Sequence, residues 1–206
     1  MDWGSIIPII MAVLVAIALP LALRRRKSGG PQKREELWQH LQEIGIEASL
    51  AEKGSDIEKM GTSRASGQKS EGLIQLRGQK IDFINVCSVT SQYGTRYLID
   101  YLVKSPNIMG GRTLKKTTLV SKKSSALWGK VMAIEWKGDK SLAQTLNFDY
   151  GLENKLLHSD VKAFGGSIQI FPEPKHGYTR IRTAYVLPSP EICEAMNIIA
   201  KHAKSW

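Results

Sequence analysis

Apolar and polar positions alternate in three distinct rhythms along the chain, and each predicts a different element. From Trp3 to Leu23 there are 21 residues without a charge, rich in Ile, Leu, Val and Ala. At about 1.5 Å per residue in a helix they would reach about 31 Å, the thickness of a hydrocarbon core of about 30 Å. After this run the rhythm becomes helical: Leu37, Trp38, Leu41 and Ile44 make one stripe, with Gly45 a natural stop. Residues 54 to 70 are dominated by Gly, Ser, Lys, Glu and Thr and predict a long exposed loop.

From residue 71 the period shortens to two. Leu73 to Arg77 and Ile81 to Val89, separated by Gly78, predict a hairpin, with Ile81, Phe83, Cys87 and Val89 making the plainly apolar face of the second strand. Tyr97 to Val103 adds a third strand, and Thr117 to Ser121 and Val131 to Lys137 two more. Between Asp139 and His158 five leucines return to helical spacing, interrupted at Gly151, which predicts two short helices or one bent one. Ser167 to Phe171 and Tyr178 to Leu187 form a second hairpin around Pro172 to Gly177. A final helix is announced by Ser189 as N-cap, Pro190 at its first position and Glu191 in its first turn, with Ile192, Met196 and Ile199 as its inner stripe. The expected fold class is α+β: one N-terminal transmembrane helix, then a soluble domain with an antiparallel or mixed sheet covered by helices. The expected divisions are an anchor over 1–23, a basic juxtamembrane tether over 24–34 and the α+β domain over 35–206.

Charge sharpens this. The apolar run ends at Arg24, Arg25, Arg26 and Lys27, and only Asp2 precedes it. The positive-inside tendency therefore puts the N-terminus outside and the domain in the cytoplasm at the cell membrane. A cleaved secretory signal would need its basic cluster before the apolar run rather than after it. Two thiols, Cys87 and Cys193, suit a reducing compartment as small core residues.

The formal net charge of +10 is unevenly spread. Residues 24–34 carry +6, residues 112–140 carry another +6, and the rest sums to −2. The first cluster sits where anionic lipid favours each nearby cation by about 1 kcal/mol, unless it acts as a topology signal alone. The second comprises Arg112, Lys115, Lys116, Lys122, Lys123, Lys130, Lys137 and Lys140, interleaved with Trp128 and Trp136. It suits an anionic surface, a phosphorylated ligand or single-stranded nucleic acid, or else it is a solvated edge whose lysines oppose aggregation. Arg180 and Arg182 share one face of the last strand, where they would recognise a carboxylate or phosphate, or pair across strands with an acid such as Glu173.

Chemistry-bearing motifs are sparse. His158, Ser159 and Asp160 are adjacent, and neighbours in sequence point apart, so they do not make a triad by themselves. Asp149 with Glu153, and Glu173 with His176, are the remaining local pairings, and each also reads as polar side chains that face solvent, the first on an exposed helix face. Four histidines lack metal-ligand spacing, and there is no phosphate loop, nucleophile elbow or zinc-protease motif, so no metal or cofactor is expected. The sequence thus points to a binding or assembly module at the inner membrane surface. Its expected partners are the lipid bilayer, anionic lipid headgroups or a membrane protein. A membrane-tethered enzyme and nucleic-acid binding through 112–140 are the alternatives.

Overall fold

The computed structural model describes residues 29–52, 54–60, 62, 67–109, 114–123, 131–159 and 167–205. Helix α1 (Gly29–Glu43) is followed by strand β1 (Ala48–Leu50) and a 3-10 turn at Asp56–Lys59. Strands β2 (Gln68–Leu76), β3 (Phe83–Ser91) and β4 (Gly94–Lys104) come next, then a second 3-10 turn at Pro106–Met109. Strands β5 (Thr117–Lys123) and β6 (Val131–Lys137) precede helices α2 (Lys140–Asn147) and α3 (Tyr150–His158). Strands β7 (Gln169–Glu173) and β8 (Tyr178–Ala184) lead into helix α4 (Pro190–Lys204).

All eight strands join one sheet in the order β1-β2-β3-β4-β8-β7-β5-β6, and every pairing is antiparallel. This corrects the expected fold class. The mixed alternative falls because every neighbouring pair runs in opposite directions, whereas a parallel pair would need a crossover. The balance is mostly sheet, with four helices. Nor does a transmembrane helix appear among the described residues: none of their helices is long and apolar enough to cross a membrane, and the longest have 15 residues. Trp3–Leu23 and Arg24–Lys27 lie outside the described residues.

Local chemistry explains the boundaries. Gly29 to Arg34, expected as tether, already form the first turns of α1, since Pro31 sits where its missing N–H costs no helical bond. The helix ends in a Schellman motif, in which Ile46 N bonds Leu41 O at 2.8 Å and Gly45 N bonds Gln42 O at 3.0 Å. Gly45 takes φ +81, as that cap requires. The leucine-rich stretch is two helices, broken at Phe148–Asp149 rather than at Gly151. Asp149 sets the break by accepting from Leu152 N at 2.9 Å as N-cap. Ser189 caps α4 in the same way.

The alternation in the central strands is resolved by cross-strand rows. Ile74, Ile84, Tyr101, Ile181 and Ile170 are paired in register across five strands. They belong to the main core with Leu37 and Leu41 of α1, Leu142 and Leu146 of α2, Leu152 and Leu156 of α3, and Ile192, Met196 and Ile199 of α4. In β3 the core-facing set is therefore Ile84 and Val86, and the opposite set holds Phe83, Asn85 and Cys87. On that opposite face Met60, Leu73 and Leu102 form a small second cluster with Ala51, Ile57, Phe83 and Tyr178. Met60 is thus buried, and the expected exposed loop over 54–70 is in part a cover for the sheet.

Candidate functional site

Next to the apolar row runs a polar one. Leu73, Asn85, Asp100, Arg182 and Gln169 are paired in register one residue away from it, on the other face. Asp100 is fully buried on β4. Arg182 grips it with both prongs, Nε to Oδ1 and Nη2 to Oδ2, each at 2.6 Å, and donates Nη1 to Gln68 Oε1 at 3.1 Å. Cys87 Sγ donates to Asp100 Oδ2 at 3.6 Å. Arg180 lies 94% buried and donates Nε to Glu173 Oε1 at 2.9 Å, with Nη1 3.6 Å from Asp100 Oδ2. Burial opposes the charge on Arg182, but the Asp100 carboxylate more than offsets it and its pKa ends raised. Burial pushes the Cys87 thiol up, reinforced by the neighbouring Asp100, so it stays protonated.

Phe171 on β7 is the aromatic centre of this face. The Arg180 guanidinium carbon lies 4.3 Å from its ring centroid, Lys116 Nζ 5.0 Å and the Arg182 carbon 5.8 Å. Arg180 and Arg182 are therefore brought together, with their charge matched by Asp100 and Glu173. The cross-strand partner Glu173 was named from sequence. Asp100 was missed there, although an acid flanked by Ile99 and Tyr101 in an apolar strand was the signal.

Strand direction sorts the other cations between the two ends of the sheet. One end carries the start of α1, the start of β2 and the β3–β4 turn, where Gly29 lies against the Tyr97 hydroxyl. Here Lys69 is 3.6 Å from Glu71 and Arg96 is exposed. By register the end of β5 and the start of β6 point the same way, with Lys122 3.5 Å from Glu135. Lys123 pairs in the strand with Val131. The opposite end gathers Lys80 after β2, Lys104 at the end of β4, Lys115 and Lys116 before β5, Lys140 at the start of α2 and Lys175 in the β7–β8 turn. All six are exposed. Among the described residues none of them has a carboxylate within 4.0 Å.

The acids at that end are engaged elsewhere. Asp82 accepts from Lys104 N at 2.7 Å and lies 3.7 Å from Lys204, Asp139 caps α2, and Glu173 holds Arg180. Gly138 lets the β6–α2 connection press onto this end: its φ is +138, and a Cβ there would collide with the Lys116 carbonyl. The basic stretch 112–140 is thus divided: Lys115, Lys116, Lys137 and Lys140 go to one end of the sheet, Lys122 and Lys123 to the other. Lys137 lies 3.4 Å from Glu135. Trp136 is 97% buried and serves the core rather than an interleaved surface. Arg112, Lys130 and Trp128 lie outside the described residues.

The residues inspected for catalysis are dispersed. Asp149 accepts from or pairs with His202 Nε2 at 2.8 Å. Glu173 holds Arg180, and His176 lies in the exposed β7–β8 turn. His158 lines a cleft of about 360 Å³ with Asn154, Lys155, Ser159, Ser189 and Glu191, and its Nδ1 meets Asn154 O at 2.8 Å. None of the other three residues lines that cleft. Among the described residues no group of three or more His, Cys, Asp or Glu is placed to hold a metal ion. Comparison of the chain with family models, curated proteins and solved structures gave no match.

Proposed function

We propose that the domain is a binding or assembly module held at the inner surface of the membrane, taking an anionic partner at the lysine end of its sheet. The observation that carries this reading is the gathering of Lys80, Lys104, Lys115, Lys116, Lys140 and Lys175 from five separate segments, with the nearby carboxylates already committed. Like charges brought together repel, and an anion relieves that repulsion on binding. The Phe171 platform behind them is rigid, since Arg180 and Arg182 are clamped by Glu173 and Asp100, so little side-chain entropy is lost there on binding. The membrane location is supported by the uncharged stretch Trp3–Leu23 and the basic run Arg24–Lys27, which ends two residues before α1.

A photo-crosslinking residue at Lys115 of the full-length chain tests the reading in cells. The chain is expected in the membrane fraction with an adduct from position 115, and with little from Arg96 at the other end. A chain recovered free of membranes, or adducts equally frequent at both positions, overturns it.

A further inference from the structure

The two ends of the sheet differ in where the chain enters, and this decides what kind of anion the lysines meet. Gly29 lies beside Tyr97 on β4, and only Ser28 separates it from the basic run Arg24–Lys27. The described chain thus enters at this end of the sheet, one residue after the basic run in sequence. From Tyr97 to Lys104 the strand advances seven residues, about 23 Å at about 3.3 Å each. At physiological salt the Debye length is about 8 Å, so a surface at the entry end is screened from the lysine end.

The lysines themselves span the sheet. From the β2–β3 connection to the start of α2 the row crosses the strands β3, β4, β8, β7, β5 and β6, five spacings of about 4.8 Å, or about 24 Å in all before twist fans it out. The exposed members of the row are lysines, point charges that follow a phosphate backbone without a set register. Arg180 and Arg182, whose forks match carboxylates, are spent on Glu173 and Asp100 inside the protein, and the exposed Arg77 beside Lys80 is paired with Glu47 at 3.3 Å. Two half-buried rings, Phe171 and Tyr178, lie among the row, and Tyr178 is paired in register with Lys104.

We infer that the lysine end binds single-stranded nucleic acid on the side of the domain facing away from the bilayer, rather than lipid headgroups. The inference rests on the membrane-surface reading above. The row has room for roughly four nucleotides, the lower limit for single-strand binding modules, with backbone phosphates on the lysines and bases against the two rings.

The test uses the full-length chain in nanodiscs of zwitterionic lipid and a fluorescent single-stranded oligonucleotide of mixed sequence, read by anisotropy as salt is raised. Binding is expected to weaken with a log–log slope of about −3, as about four phosphate contacts on a single strand require. The triple variant Lys115→Ala, Lys140→Ala, Lys175→Ala is expected to lose about tenfold in affinity and to flatten that slope, while Arg96→Ala leaves both unchanged. Should the triple variant melt early, Lys104→Ala and Lys175→Ala alone carry the same prediction, because both side chains are exposed. No binding at low salt, a salt-insensitive signal, equal loss in Arg96→Ala, or equally tight binding of poly-glutamate overturns the inference. A position-115 adduct that is protein or lipid overturns it too while leaving the membrane-module reading intact. No adduct and no membrane association removes both.

Discussion

The two faces of the sheet are built from adjacent rows of the same strands, yet they hold together in opposite ways. The row Ile84, Tyr101, Ile181, Ile170 is apolar and meets four helices, whereas the row Asn85, Asp100, Arg182, Gln169 is polar, is held by ion pairs along its own length and, among the described residues, meets only the segment around Glu58 and Met60. An apolar face fails gradually, by the volume removed. An ionic face fails by charge: taking one partner away strands the other in a place where water does not reach it. The pairing also sets register. A slip of one residue would put Asp100 and Arg182 under the helices and Tyr101 and Ile181 on the other face, so the contrast between rows penalises mispairing on both sides at once.

The largest effect should therefore come from Asp100→Ala, which leaves Arg182 and Arg180 without their buried counter-charge and is expected to cost about 3–5 kcal/mol in urea denaturation. Replacing both partners, as Asp100→Leu with Arg182→Met, should recover a good part of that loss, because the pair's desolvation cost disappears with it. A double variant no more stable than Asp100→Ala would break the contrast between the faces. On the apolar side Ile181→Ala should cost about 2–4 kcal/mol, with no rescue by changing its row neighbours to smaller residues.

A smaller effect is expected at the sheet's long edge. Asn147 from α2 donates to Trp136 O at 3.0 Å and accepts from Trp136 N at 2.8 Å, closing two main-chain groups of the edge strand β6. Asn147→Ala should cost about 1 kcal/mol, since water replaces part of what is lost at an edge. It should also raise hydrogen exchange at Trp136 without changing it at Tyr101. Equal acceleration at both residues would mean that edge and centre open as one unit.

How much of this was legible in the sequence follows from the range of each interaction. Elements set by local chemistry were readable: the α1 stop at Gly45, the Ser189–Pro190–Glu191 start of α4, and the period-two strands. The choice of inner face in β3 was not, because Phe83, Cys87 and Val89 match Ile84 and Val86 in apolar character, and Ile81, which the alternation grouped with them, joins the main core. Only the pairing to Asp100 and Arg182 shows that the first set faces the ion lattice. The buried lattice joins residues 82 positions apart in sequence, and no local pattern carries that. The division of the basic stretch 112–140 between two ends was hidden for the same reason: strand direction is a property of the sheet. Met60 was misjudged because a single apolar residue in a polar stretch gives no period.

The smallest prediction concerns acid. Asp149 sits at the N-terminus of α3 and meets His202 of α4, and its carboxyl is held below the ordinary range by the His202 hydrogen bond, helped by the Leu152 N–H, against a partial burial that works the other way. Because the folded pKa is depressed, the stabilisation is present above the unfolded value of about 3.9 and is lost as pH falls through the folded one. Asn is as good an N-cap as Asp, so Asp149→Asn keeps the cap and removes only the charge. The variant should melt slightly below the parent at pH 7, and the gap should close as pH falls below about 4, where the parent's carboxylate takes up its proton. Neither face of the sheet takes part in this contact, so Asp100→Ala combined with Asp149→Asn should show additive losses at pH 7. A clear departure from additivity would mean that the helix layer and the ion lattice are coupled through the sheet, and that the two faces fail together rather than separately.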